Sequence, residues 1–157
     1  MVDLSQAIAL LAGHDAGGHG SGYRARYPIA VFYGPPGAGK SQIAQSVCRQ
    51  FGGRYIDYLL DILRGPQCPI LGAFEPTDFT QWLDEQATGG DGPLIVDEID
   101  ALFATWSGTK REQFFSDILR TEFPQVVVLV TKYDPPIKYR DSKGHGLTVA
   151  APVPAGV

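Results

Sequence analysis

Three stretches of the chain are apolar at consecutive positions, and the rest of the pattern is arranged around them. Ile29-Ala30-Val31-Phe32-Tyr33, Pro93-Leu94-Ile95-Val96 (ending on the acid Asp97) and Val126-Val127-Val128-Leu129-Val130 are short and unbroken, the signature of strands buried on both faces. Weaker strands are predicted at Tyr55 to Leu59 and at Leu147 to Ala151. Between them the spacing becomes helical. Leu4, Ile8 and Leu11 predict a short helix over Leu4 to Leu11. Ile43, Ala44, Val47, Cys48 and Phe51 predict another from about Gly39 to Phe51, stopped by Gly52-Gly53. Phe79, Trp82 and Leu83 belong to a helix starting near Thr77-Asp78 and ending before Gly89-Gly90. Phe114, Phe115, Ile118 and Leu119 line one face of a helix from Lys110 to Thr121. Arg64-Gly65-Pro66-Gln67-Cys68-Pro69 fits neither period and reads as a loop. Strands alternating with helices predict parallel βαβ units. The expected architecture is a three-layer α/β sandwich with a central, mostly parallel sheet.

One stretch stands outside that alternation. Gly13 to Gly22 is glycine-rich and carries His14 and His19 with no further metal ligand nearby, so it reads as a flexible connector. The expected division is a short helix with its linker over residues 1–22 and one domain over 23–157. A length of 157 residues suits one compact domain, and 44% apolar content is enough for a core. A net charge of −4 argues against a broad basic surface for nucleic acid. No apolar run reaches the ~18–20 residues that span a bilayer, and Met1-Val2-Asp3-Leu4 does not begin a signal peptide. Cys48 and Cys68, without metal spacing, read as reduced thiols. The expectation is a cytoplasmic protein that does not engage a membrane.

The chemistry starts after the first buried strand. Gly34-Pro35-Pro36-Gly37-Ala38-Gly39-Lys40-Ser41 has the spacing GxxxxGK[ST], with a strand leading in and a helix leading out. Glycines at 34, 37 and 39 let backbone N–H groups close around phosphate oxygens, and the helix N-terminus adds positive potential there. Lys40 is expected on the β- and γ-phosphates, Ser41 on magnesium, and Gln42 beside them in the first helical turn. The third strand ends in Asp97-Glu98. Acids at the carboxyl end of a strand in an open α/β sheet face the ligand crevice. Asp97 is expected to hold magnesium and Glu98 to take a proton from an attacking water. Thr131, directly after the Val126–Val130 strand, reaches the γ-phosphate or its water if that strand lies between the other two.

These pieces resemble the AAA+ branch of the P-loop NTPases, with GPPGAGKS as Walker A, LIVDEID as Walker B and Thr131 as sensor, over roughly Ile29 to Val130. The resemblance implies ATP with Mg2+ as ligands, Glu98 as catalytic base and a central P-loop strand. It also places Arg140 about where such proteins carry an arginine finger. The expected helical lid after the last strand does not follow Leu147 to Ala151 in this sequence. A narrower resemblance, carried by length, layout and Gly146-Leu147-Thr148-Val149-Ala150-Ala151-Pro152, is to the BrxF family of small ATPases in BREX-type antiphage systems. It implies work beside DNA-modifying or DNA-processing partners in phage defence, with DNA association indirect; the missing lid separately leads to the expectation of a homo-oligomer or a subunit of a larger assembly. Two other functions fit the motifs: a nucleotide-binding switch without catalysis, and a small-molecule kinase. For the kinase, the region from Tyr58 to Thr77 offers only Arg64 as a phosphoryl clamp.

Overall fold

The fold is described from a computed structural model covering residues 2–13, 24–66, 68–69, 71–140 and 145–152. The glycine-rich stretch with His14 and His19, expected to be a connector, lies outside the described residues from position 14 to 23.

The elements follow in the order α1 (Leu4–Leu11), β1 (Ile29–Tyr33), α2 (Lys40–Phe51), β2 (Arg54–Asp57), α3 (Pro76–Gln86), β3 (Leu94–Asp97), α4 (Asp100–Phe103), α5 (Gly108–Ile118), β4 (Val127–Thr131) and β5 (Leu147–Ala150). The five strands form one sheet in the order β2-β3-β4-β1-β5, parallel at every pairing. β1 is therefore interior, and β4 lies between it and β3.

The sheet is buried on both faces because alternate side chains feed two separate apolar layers. Ala30, Phe32, Ile95, Val128 and Val130 meet α1 and α2 on one face. Ile29, Val31, Leu94, Val96, Val127 and Leu129 meet α3, α4 and α5 on the other. The second layer is largely aromatic. Phe79, fully buried, lies 5.4 Å from Tyr58, 6.0 Å from Phe103 and 5.7 Å from Phe114, ring centroid to ring centroid.

Local chemistry sets the helix ends. Asp3 caps α1, accepting from Gln6 N at 2.8 Å while the Gln6 side chain accepts from Asp3 N at 3.0 Å. α2 stops at Gly52, whose φ of 64° is the left-handed conformation that glycine adopts without strain. Ser107 caps α5 through Lys110 N at 3.2 Å.

Two boundaries and one added element differ most from the sequence pattern. The second strand ends at Asp57, not Leu59, because the Asp57 carboxylate accepts from Leu60 N at 2.9 Å and turns the chain into a π-helical turn over Leu59–Leu63. The fifth helix begins at Gly108, ahead of Lys110, because Ser107 is its cap. The short helix α4, directly after the Asp97-Glu98 pair, has too few residues to show a period and was not anticipated.

Phe79→Ala removes the ring shared by most of the aromatic layer. It is expected to cost ~3–5 kcal/mol of folding stability by chemical denaturation, as for other large buried side chains cut to alanine.

Candidate functional site

The carboxyl ends of β1, β3 and β4 lie side by side, and the motif residues converge there. They border a cleft of ≈ 510 Å³ lined by Pro36, Gly37, Gly39, Lys40, Ser41, Gln42, Asp97, Glu98, Asp100, Val130, Thr131 and Lys132. The strand order is the reason. Chain segments leave β1 toward one face through α2 and return through α3 and α5 on the other, which opens a crevice at the switch between β1 and β4.

The loop after β1 is shaped for an anion. Gly37 and Gly39 have φ of 83° and 79°, a conformation that a side chain would strain. Gly39 begins α2 with no side-chain cap, so the first N–H groups of that helix are not taken by a capping oxygen. Gly34 is required for a different reason: a Cβ there would lie 2.8 Å from the Ala151 Cβ. Pro35 and Ala38 close the turn through Ala38 N and Pro35 O at 3.3 Å. Lys40 is folded back on the loop, its ammonium donating to Gly34 O at 2.7 Å and Pro35 O at 2.8 Å.

Opposite the loop are the acids. Asp97 is 4% exposed, and both its oxygens are held: Oδ2 accepts from the Tyr55 hydroxyl at 2.5 Å and Oδ1 from Glu98 N at 2.7 Å. Burial first, then the bond to Asp97, pushes the Tyr55 phenol well above its usual range. Glu98 is exposed on the cleft with φ of 60°, unusual for a residue with a side chain and characteristic of positions where function holds strain. Partial burial, then the carboxylates of Asp97, Asp57 and Asp100, raises the Glu98 carboxyl above the ordinary glutamate range, with Lys40 opposing. That shift moves it toward neutral pH and makes it a stronger base.

Thr131 does lie between the P-loop strand and the Asp97 strand, 1% exposed. Its hydroxyl donates to Asp100 Oδ1 at 2.6 Å and accepts from Tyr133 N at 3.1 Å. With the proton committed to Asp100, Thr131 has a lone pair left for a water but no proton for a phosphate oxygen. Arg140 is not brought to the cleft on its own chain. Its Nε donates to Pro135 O at 3.0 Å, Asp134 is 3.9 Å away, and its guanidinium lies 5.3 Å from the Tyr33 ring centre.

Two site residues escaped the sequence reading. Asp100 was visible as the last acid of Asp97-Glu98-Ile99-Asp100, but nothing tied it to Thr131 until β4 was placed beside β3. Tyr55 carried no motif. Its signal is parity: Tyr55 pairs with Ile95, which shares a sheet face with Asp97 two residues on.

The donor set suits a hard cation, since Ser41 and Asp97 offer oxygen only. Among the described residues no three His, Cys, Asp or Glu side chains converge on a metal position. No helix among the described residues is long and apolar enough to cross a membrane.

Fold and site together define an α/β P-loop nucleotide-binding domain. Residues 30–132, more than half the chain, match the ATPase family associated with various cellular activities (AAA), and the protein belongs to that family. Domains of this family bind nucleotide and typically oligomerise. Among curated proteins the chain is similar to Lon protease 1 of Sorangium cellulosum (strain So ce56), 37% identical over 90 residues, which cover 53% of this chain and 11% of that protein. It is also similar to the mitochondrial Lon protease homolog of Homo sapiens, 33% identical over 87 residues, covering 51% of this chain and 9% of that one. The chain thus spans about a tenth of the length of these relatives. A chain of the E. coli MS115-1 HORMA:CdnC:Trip13 complex aligns over 94% of this chain and 57% of its own, with TM-score 0.42 and 16% identity. At that score it adds nothing to the family assignment.

Glu98 gives the site a measurable pH signature. A carboxyl whose folded pKa lies above its unfolded value binds more protons folded than unfolded between the two, so stability falls as pH rises through that interval. Glu98→Gln is therefore expected to melt above wild type at neutral pH, without nucleotide or magnesium. The gap should close as pH falls below about 4.3, the ordinary glutamate value.

Proposed function

We propose that the protein is a magnesium-dependent ATPase that works as a subunit of a larger assembly. The observation that carries the reading is the convergence, around one cleft, of Lys40 and Ser41 from the loop after β1, Asp97 and Glu98 from β3, and Thr131 from β4. Lys40 would leave the Gly34 and Pro35 carbonyls for the β- and γ-phosphates. Ser41 and Asp97 would hold magnesium, which neutralises phosphate charge when bound. Glu98, raised in pKa and directed into the cleft, would accept the proton of the attacking water. The free lone pair on Thr131 would orient the same water.

Three substitutions separate these roles in a binding and turnover assay. Lys40→Ala is expected to lose the ATP-induced rise in melting temperature. Asp97→Asn should weaken binding only where magnesium is required. Glu98→Gln should still bind Mg-ATP, with turnover down about 10²–10⁴-fold, the usual loss of a general base. An equal ATP shift in wild type and Lys40→Ala would refute the phosphate site. Absence of turnover in wild type, with DNA and at high protein concentration, would leave a nucleotide-binding switch. Phosphoryl transfer to a metabolite without ATPase alone would make it a kinase.

The assembly part of the proposal rests on family membership and on the open cleft, where water weakens the electrostatic contacts of the transition state. A second copy or another subunit would cover the cleft, with Arg140 acting in trans. The finer reading is a BrxF-like subunit of an antiphage, DNA-associated complex. Its support is the sequence of the closing strand Leu147–Ala150 and the layout around it.

Specific activity is expected to rise with protein concentration. An Arg140→Ala chain mixed with a Glu98→Gln chain should recover turnover that neither has alone, because an arginine finger is worth about 10³–10⁵ in rate. Concentration-independent turnover that ignores Arg140→Ala would exclude the trans arrangement.

A further inference from the structure

Tyr55 has no part in the roles assigned above, yet it makes the shortest polar contact in the site. Its hydroxyl donates to Asp97 Oδ2 at 2.5 Å, and its ring packs into the apolar layer shared with α1 and α2. The other oxygen, Oδ1, is occupied by Glu98 N at 2.7 Å. Each oxygen of a carboxylate offers two acceptor directions, so one remains open on each. Two donors fixed to one buried carboxylate stop it from rotating. Such a carboxylate is set to accept hydrogen bonds from metal-bound water in one orientation.

We propose that Tyr55 is a positioning residue that locks the Asp97 carboxylate for water-bridged magnesium binding, a role that rests on the nucleotide site proposed above. The physical argument lies in what Tyr55 alone supplies. β2 and β3 run in parallel register, with Asp57 beside Asp97 and Tyr55 beside Ile95, so the Tyr55 side chain reaches Asp97 diagonally across the strand pair. Without the hydroxyl, a nearly buried oxygen loses its donor and the carboxylate can turn about its Cβ–Cγ bond. The Glu98 backbone, held at φ of 60° through the same carboxylate, loses part of its support.

Tyr55→Phe keeps the ring and its packing and deletes only the donor. The test is a magnesium titration of binding of a fluorescent ATP analogue by wild type and Tyr55→Phe, with melting curves taken without nucleotide. The expected result is a rise of about tenfold in half-saturating magnesium, the scale on which loss of an outer-shell partner weakens metal binding. A midpoint that stays or falls in Tyr55→Phe, while wild type binds in a magnesium-dependent way, overturns the role of Tyr55 alone. A drop in melting temperature without a midpoint shift gives Tyr55 a structural role only, and overturns it too. Wild type that shows no magnesium-dependent binding overturns the nucleotide site and this inference together.

Discussion

The site depends first on the parallel ladder between β1 and β4. Ile29 to Tyr33 pair residue for residue with Val127 to Thr131, and the ladder runs one step past the strand through Gly34 N to Thr131 O at 3.3 Å. That single register fixes Thr131 beside the root of the P-loop. Because β4 also pairs with β3, it puts the Asp97-Glu98 turn one strand further over. Parallel pairing matters here because it brings all the strand ends to one side, where the loops can meet. A slip of one residue between β1 and β4 would exchange the two buried faces of β4. Thr131 would then leave Asp100, and Val128 and Val130 would face the aromatic layer.

The same convergence concentrates like charge. Partial burial first, then the nearby carboxylates of Asp97, Asp57 and Asp100, raise Glu98, and Lys40, its ammonium bonded to two carbonyls, opposes the rise only in part. Such an arrangement does not favour the folded state by itself. Asp97 and Asp100 are tolerated because each has firm donors: Tyr55 and Glu98 N for the first, Thr131 and Lys132 N for the second. Glu98 has no such donor on its carboxylate among the described contacts, and it also carries the positive φ. Strain and unfavourable charge therefore meet at Glu98, the residue proposed as the base.

How far the sequence revealed this follows from what each signal measures. The three central strands were legible because parallel strands covered on both faces show continuous apolar runs, as in Val127–Val130, whereas β2 and β5, only partly buried, gave weaker signals. Lys40, Ser41, Asp97 and Glu98 were legible as candidates for one cleft because their pattern is written in consecutive residues, and all four line it. Thr131 was conditional on strand order, which periodicity does not encode and which the sheet supplies. Tyr55 and Asp100 were not legible as site residues. Their partners lie 42 and 31 residues away, and only the β2–β3 and β3–β4 pairings bring them together. The end of β2 was missed for a local reason: Asp57 bonds the backbone ahead of it, which apolar Tyr58 and Leu59 do not betray.

The far end of the described chain is also part of the P-loop. Ala151 N donates to Tyr33 O at 2.7 Å, and the Ala151 Cβ occupies the space that a side chain at position 34 would need. Gly34 thus opens the motif because β5 closes against it, and not only because the backbone must wrap a phosphate. Arg140 belongs to the same corner. Its guanidinium covers Tyr33, the residue before Gly34, and its carbonyl accepts from the Thr148 hydroxyl of β5 at 3.4 Å. The edge strand, the Arg140 turn and the root of the phosphate loop are therefore one packed unit. Among the described residues β5 has a neighbour on one side only, so any chain that adds to the sheet at that edge would press directly on the unit that shapes Gly34.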